Sequence, residues 1–178
     1  MDSVKLLQKY LGCETELYHI VFTHSRSVAD KALLLAQKHP ELQLNLVFLE
    51  EAAMIHDIGV YRTKAPEILC FGTYPYICHG YLGSEIMVKE GFPQHALVCE
   101  RHTGTGLSLS EIINKQIPLP HREMNPLSLE EKLICFVDKF FSKTHLKEEF
   151  PVSVVREKLK KYGSVGVKRF DDWCELFL

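Results

Sequence analysis

A histidine and an aspartate stand side by side at the end of an apolar run, in the segment Met-Ile-His-Asp-Ile-Gly at 54–59. The run predicts a mostly buried helix, with Asn45 as its N-cap and Gly59 as its C-terminal stop. His56 and Asp57 then fall in the last turn of a core helix, where an unpaired carboxylate is costly to bury. A metal ion would satisfy both side chains, because imidazole nitrogen and carboxylate oxygen bind zinc, iron, manganese and nickel. Adjacent helical residues point about 100° apart, so the pair can converge on one ion or on two neighbouring ions.

Two further histidines occupy positions from which they could reach such an ion. His24 falls on the apolar stripe of a helix predicted over 15–39, although a core histidine bonded to a carbonyl is the simpler interpretation of that position alone. His79 begins a helix that Gly91 closes. The positive end of the helix dipole favours the neutral imidazole there, which is the form that binds metals.

A histidine and an aspartate in the second half of the chain complete the set of candidate ligands. His102 ends a predicted helix, and the Thr-Gly-Thr-Gly that follows it indicates either backbone passing close to a ligand or a plain helix stop. Asp138 lies among apolar residues of a helix predicted over 128–143, which Ser128 and Glu131 begin as a capping box. A core salt bridge and a metal are the two candidates for its partner.

The remaining pattern predicts an all-α fold, because strand-like alternation is scarce and apolar residues recur at helical spacing. The other predicted helices cover residues 3–11, 45–58, 93–102, 108–116, 152–162 and 164–177. A loop is expected from 60 to 77, and an irregular connection over 117–126 is long enough to form the rim of a pocket. The last two helices carry apolar positions typical of packing and no catalytic constellation.

Composition limits the class of protein. A chain of 178 residues with 46% hydrophobic and 25% charged residues suits one globular domain, 1–178. A net charge of -2 argues against binding a nucleic acid polymer. No signal peptide and no apolar run of roughly 20 residues is present, so a cytoplasmic protein without a membrane partner is expected. The six cysteines show no close C-x-x-C pairing and are interpreted as reduced thiols.

The order His24, His56-Asp57, Asp138 resembles the signature of the HD-domain superfamily of metal-dependent phosphohydrolases. His-Asp-Ile-Gly is similar to its HDIG-type members, and His79 and His102 match the two extra histidines of binuclear members. The stretch 118–140, from Pro118-Leu-Pro to Val-Asp-Lys-Phe, resembles a small, mostly uncharacterised bacterial and archaeal subgroup of HD proteins. The resemblance covers about residues 15–145, and the helices over 146–178 are expected to pack on that core.

The resemblance implies an HD-domain helical bundle with a central metal site, whose first ion would be held by His24, His56, Asp57 and Asp138. Asp57 would bridge to a second ion held by His79 and His102. Iron or manganese is favoured, because binuclear relatives often carry them; zinc, nickel, cobalt and magnesium stay open. The other histidines match no motif position and are treated as surface or structural, with His121 and Arg122 held open as a substrate-loop pair.

The expected chemistry is hydrolysis of a phosphomonoester or phosphodiester of a small nucleotide-like substrate by metal-activated hydroxide. Asp57 and His56 would be catalytic through the metal, and Arg62 and Lys64 would stabilise the phosphoryl charge. Arg101 is a further candidate cation, and Lys139 a weaker one, because it should point about 100° away from the preceding aspartate.

Two other classes of function remain as alternatives. A non-catalytic nucleotide-binding regulatory HD module is disfavoured because degenerate members of that type usually lose ligands, and here all are present. A di-iron oxygenase would give an oxygen-dependent product and a radical signal. A homodimer is the default expectation for the oligomeric state.

Overall fold

A computed structural model describes all 178 residues and confirms the all-α prediction. Its nine α-helices are α1 (Ser3–Leu11), α2 (Glu16–Lys38), α3 (Leu46–Ile55), α4 (His79–Lys89), α5 (Pro93–Arg101), α6 (Leu109–Asn114), α7 (Leu129–Asp138), α8 (Val152–Lys160) and α9 (Ser164–Phe177). The segment predicted as a loop between α3 and α4 contains short 3-10 turns and a small antiparallel hairpin, β1 (Lys64–Ala65) and β2 (Cys70–Phe71). None of the helices combines the length and the apolar character needed to cross a bilayer.

Helix α3 lies at the centre of the bundle, in contact with α1, α2, α5 and α7. The Asn45 side chain accepts a hydrogen bond from the Phe48 amide at 3.1 Å, which confirms it as the N-cap. The helix ends at Ile55, so His56 and Asp57 lie in the turn directly after it, and not in its last turn as predicted. Both side chains are fully buried at this point.

Gly59 does not act as the predicted C-terminal stop, because its φ of -82° lies outside the left-handed region. A Cβ atom on Gly59 would instead lie 2.3 Å from the His79 carbonyl oxygen and 2.3 Å from the Gly83 amide nitrogen. The glycine therefore allows α4 to pack directly against the turn that carries Asp57.

The capping box predicted for α7 is only half formed. The Ser128 hydroxyl accepts a hydrogen bond from the Glu131 amide at 3.1 Å, but the Glu131 carboxylate binds Arg101. A complete capping box occurs instead at the start of α6, between Ser108 and Glu111.

Helix α7 also ends at Asp138, five residues earlier than predicted. The next three residues form a tighter turn, in which the amides of residues 139–141 each donate to the carbonyl three residues earlier. The Phe140 carbonyl accepts a hydrogen bond from the Phe150 amide at 2.8 Å. This early end determines where the lysines at 139 and 143 lie.

The two C-terminal helices pack on the same hydrophobic core as the rest of the bundle. The Phe136 ring of α7 lies 5.2 Å from the ring of Phe170 and 5.7 Å from that of Phe177, centroid to centroid. Burying a phenylalanine side chain contributes roughly 1.5–3 kcal/mol, so these contacts hold α9 firmly against α7.

Candidate metal centre

The six predicted ligands meet at the carboxyl end of α3. They come from α2, the turn after α3, the first residue of α4, the residue after α5 and the last residue of α7. Their ligand atoms form two groups, in each of which all atoms lie within 4.8 Å of one another. One group is His24, His56, Asp57 and Asp138, and the other is Asp57, His79 and His102.

Asp57 belongs to both groups, and each of its carboxylate oxygens faces one of them. Oδ2 lies 3.3 Å from His24 Nε2 and 3.0 Å from His56 Nε2. Oδ1 lies 3.5 Å from His79 Nε2 and 3.5 Å from His102 Nε2. A single buried carboxylate is therefore shared between two clusters of imidazole nitrogens.

Backbone carbonyls orient three of the imidazole rings. Nδ1 of His56, His79 and His102 donates to the carbonyl three residues earlier, at 2.6, 2.7 and 2.7 Å. A carbonyl can only accept, so Nδ1 carries a proton, and each ring in its neutral form turns its Nε2 lone pair into the centre. The Nε2 atoms of His79 and His102 lie 2.9 Å apart. Two facing lone pairs repel each other, and a cation between them would turn the repulsion into attraction.

Buried polar atoms without hydrogen-bond partners mark the same place. They include Nε2 of His56 and both carboxylate oxygens of Asp57, of which Oδ2 has an ion pair with Lys143 but no well-directed hydrogen bond. Leaving such atoms unsatisfied in the interior is costly. Nitrogen and carboxylate oxygen without thiolate suit a divalent transition metal or magnesium. The residues present therefore fit a divalent metal ion.

The pKa values of Asp57, His79 and His102 favour the binding of cations at this centre. Burial opposes ionisation of Asp57, but the charges of Lys143 and His56 outweigh it and hold the pKa of that carboxyl well below its ordinary value. Burial, reinforced by His102, lowers the pKa of His79 to about 3, and burial also lowers the pKa of His102. Both histidines are thus neutral at pH 7, as metal ligands must be.

In the group of His24, His56, Asp57 and Asp138, the His56 ring holds a proton that a metal would displace. Burial opposes protonation of His56, but Asp57 and Asp138 raise its pKa to about 9. Metal binding at this group would therefore release a proton near neutral pH.

Two lysines provide the positive charge next to the ligands. Lys139 Nζ lies 2.6 Å from Asp138 Oδ2 and 3.2 Å from the His102 carbonyl oxygen, so the prediction that it points away from the aspartate is wrong. The backbone of Lys139 is still in the right-handed helical region, with φ -67° and ψ -19°, so its long, flexible side chain is what reaches back to the aspartate. Lys143, which sequence analysis missed, forms an ion pair with Asp57 Oδ2. No motif contains it, and only the early end of α7 brings it back to the centre.

The cations predicted from sequence proximity lie elsewhere. After Gly59 the chain turns outward through the 3-10 turn Val60–Arg62 and the hairpin. The Arg62 guanidinium binds Glu85 at 3.0 Å, and Lys64 is exposed on β1. The structure therefore does not bring Arg62 or Lys64 to the ligands.

The other candidate cations are engaged in structural contacts. Arg101 binds both carboxylate oxygens of Glu131 at 3.1 and 3.0 Å. Arg122 forms an ion pair with Glu100, and His121 is exposed. None of these cations lines the cavity next to the ligands.

A cavity of about 590 Å³ opens beside the ligands, and four of the six ligands form part of its wall. Of the connection predicted as a pocket rim, only Ile117 lines it. The C-terminal helices were predicted to serve packing alone, yet they supply Lys158, Lys161 and Gly166 to the wall. The sequence pattern showed their apolar faces but not which remaining face turns toward the cavity.

Arg169 of α9 forms hydrogen bonds that hold the segment after His102 in place. Its Nη1 donates to the carbonyl oxygens of Thr105 and Gly106 and, at 2.8 Å, to Asn125 Oδ1. We expect Arg169→Met to lower the free energy of unfolding by about 2–3 kcal/mol, because three partly buried acceptors lose a charged donor. Metal affinity should fall by about 10–100-fold, since a support of the ligand His102 is lost.

Urea denaturation and metal titration measure these effects. Arg156→Met is the matched control, because that guanidinium forms a half-exposed ion pair with Asp171 and its loss should cost less than about 1 kcal/mol. Equal effects of the two changes would contradict a special role for Arg169.

Comparison with known proteins agrees with this centre. The model of the HD domain family matches residues 21–142, which include all six predicted ligands. An uncharacterised protein of the archaeon Methanocaldococcus jannaschii is 32% identical over 152 residues, covering 84% of this chain and 82% of the relative. The chain therefore belongs to the HD domain family.

A second similarity is shorter. A tRNA (cytidine(56)-2'-O)-methyltransferase of Picrophilus torridus is 32% identical over 91 residues, which are 51% of this chain and 23% of that protein. No solved structure matches the chain. The HD family is typical of metal-dependent hydrolases, and its helical fold and cluster of histidines and aspartates are both present here.

Proposed function

We propose that this protein is a metal-dependent phosphohydrolase that cleaves a phosphomonoester or phosphodiester of a small nucleotide-like substrate. The observation that carries the proposal is the position of Asp57, whose two oxygens face separate groups of imidazole nitrogens beside a cavity lined by lysines. Such an arrangement suits two divalent ions that share one carboxylate. Membership of the HD family supports the same class of reaction.

We propose iron or manganese as the ions, because the donors are nitrogen and oxygen without thiolate, which suits both metals, and because the binuclear members that the chain resembles often carry them. When bound, such ions lower the pKa of water toward roughly 7 and neutralise charge on a phosphoryl group. The chain's own residues hold and orient the ligands: the carbonyls behind His56, His79 and His102 keep each Nε2 directed at the centre. The buried position of Asp57 excludes competing water from its oxygens.

The number of ions can be tested on the second group. His79→Ala should lower the bound metal from about two ions to about one per chain, because only Asp57 and His102 remain as donors there. Metal analysis of the purified variant and wild type measures this directly. His19→Ala, at an exposed position on α2, is the control. An unchanged metal content in His79→Ala would contradict the two-ion arrangement.

Lys143 and Lys139 take the role that the sequence suggested for Arg62 and Lys64. Both line the cavity, and both ammonium groups lie beside ligand carboxylates. Once the carboxylates are occupied by metal, these ammonium groups are available to bind the phosphoryl oxygens of a substrate.

Lys143→Gln should lower kcat/KM by about 100-fold, the typical effect of removing one group that stabilises transition-state charge. Metal affinity should not fall, because the ammonium competes with a metal for Asp57 Oδ2. Steady-state kinetics and metal titration separate these two effects. Lys64→Gln should leave both quantities unchanged, and a loss of activity there would instead restore the role predicted from the sequence.

The proposed function is tested by metal analysis of anaerobically purified protein, followed by a panel of phosphoesters assayed with each candidate metal. We expect metal-dependent release of phosphate or of a nucleotide monoester. Nucleotide binding without turnover under all metals would indicate a regulatory module. An oxygen-dependent product with a radical signal from the iron form would indicate an oxygenase, and either result would overturn the hydrolase proposal.

A further inference from the structure

We infer that the substrate carries a second anionic group, remote from the one that reacts, and that lysines at the outer end of the cavity bind it. The inference rests on the proposed function and narrows the substrate to compounds with two separated anions. It follows from how charge and burial are distributed along the cavity wall.

The inner end of the cavity has its own pair of cations. The side chains of Lys139 and Lys143 are only 13% and 11% exposed, and both contact carboxylates of the metal centre. Under the proposed function, these two ammonium groups bind the reacting phosphoryl group. A substrate with one phosphate would need no further cation.

Three more lysines line the same cavity at its exposed end. Lys115 follows α6, Lys158 lies on α8, and Lys161 follows α8. Lys158 and Lys161 are exposed and have no carboxylate oxygen within 4.0 Å. By contrast, Lys160 is paired with Glu157 and does not line the cavity.

Aromatic contacts hold these lysines near the cavity. Lys158 Nζ lies 3.1 Å from the centre of the Phe150 ring, and Lys161 Nζ lies 4.9 Å from that of Tyr162. Lys115 Nζ donates to the Tyr162 carbonyl at 3.2 Å. Cation–π contacts at exposed sites are individually weak, so they favour, and do not fix, positions of Lys158 and Lys161 near the mouth of the cavity.

The wall of the cavity also contains apolar side chains that suit the body of an organic molecule. They are contributed by Phe141, Phe150, Val155 and Leu159. Val155 and Leu159 are buried and lie on the same helix as Lys158. Such an apolar surface is what an organic linker between two anions would contact.

The balance of charge supports an anionic partner. Five lysines line the cavity, against the carboxylates of Glu67, Glu111 and Asp138. Lys139 pairs with Asp138, Lys143 pairs with Asp57, and Lys115 lies 3.6 Å from Glu111. Lys158 and Lys161 are the cavity lysines without a carboxylate partner, so the unpaired positive charge lies at the exposed end, where an anionic group would bind.

A ligand series that cannot be hydrolysed tests the inference. Calorimetry on the purified full chain compares α,ω-alkane bisphosphonates with alkyl monophosphonates of equal chain length. We expect bisphosphonates of one range of lengths to bind at least about tenfold more tightly. The double change Lys158→Gln/Lys161→Gln should remove that advantage and leave monophosphonate binding unchanged.

The matched control is Lys160→Gln/Lys168→Gln, which removes the same charge from residues that do not line the cavity. It should keep the full advantage of the bisphosphonates. Equal binding of the two series by wild type, or an advantage that survives Lys158→Gln/Lys161→Gln, would overturn the inference. Because phosphonates are not hydrolysed, this outcome is independent of whether the protein turns over any phosphoester.

Discussion

Asp57→Asn should abolish metal binding and lower kcat/KM by at least about 10³-fold. An asparagine has the same shape, but its amide offers one oxygen where the carboxylate offers two. It therefore cannot face His24 and His56 on one side and His79 and His102 on the other. The change also removes the negative charge that balances bound cations in a fully buried position.

Metal analysis and phosphoester kinetics on the same preparation measure both effects of Asp57→Asn. Asp172→Asn is the control, because Asp172 is an exposed residue whose partner is the surface Lys168. That variant should retain full metal content and activity. Turnover that survives Asp57→Asn would contradict the assignment of Asp57 as the shared ligand.

The helices were predictable because their signals are local, whereas the six candidate ligands were identified from polar residues at buried or helix-end positions together with the resemblance to the HD superfamily. The Asn45 cap depends on the amide three residues later, and apolar spacing on α2 and α7 determines which faces are buried. His24 and Asp138 were detectable because a polar residue on a buried stripe needs a partner. The structure confirms that they meet, with 2.9 Å between His24 Nε2 and Asp138 Oδ1.

The cations around the centre were not predictable in the same way. Arg62 and Lys64 are close to Asp57 in sequence, but the turn after Gly59 directs them outward. Lys143 lies more than 80 positions from Asp57 and reaches it only because α7 ends early. The apolar pattern continues through Phe140 and Phe141, so periodicity alone extends the predicted helix. No glycine or proline follows Asp138 within the next ten residues, so the single sequence does not show where the helix stops.

The second large effect is expected from Gly59→Ala, which should lower both the stability of the fold and the binding of metal. Gly59→Ala should lower the free energy of unfolding by about 3 kcal/mol or more. Its φ of -82° suits alanine, so the cost comes from space alone. The new Cβ would lie 2.3 Å from both the His79 carbonyl oxygen and the Gly83 amide nitrogen. These are backbone atoms one turn apart in α4, which cannot move aside without moving the helix.

Gly91→Ala separates steric cost from conformational cost in the same denaturation experiment. Gly91 has a φ of 86°, and a Cβ atom added there would meet no other atom within 4 Å, so alanine should cost about 1–2 kcal/mol. A Gly59→Ala variant no less stable than Gly91→Ala would show that α4 does not pack as described.

Gly59→Ala should also affect the metal centre, because His79 is the first residue of α4. Displacing α4 from the Gly59 turn moves His79 Nε2 away from Asp57 Oδ1, which lies 3.5 Å from it. Gly59→Ala protein that still folds should therefore bind less metal per chain than wild type, whereas Gly91→Ala, at the far end of α4, should bind the normal amount. The glycine of His-Asp-Ile-Gly is thus explained by the approach of a ligand-bearing helix and not by the end of the helix before it.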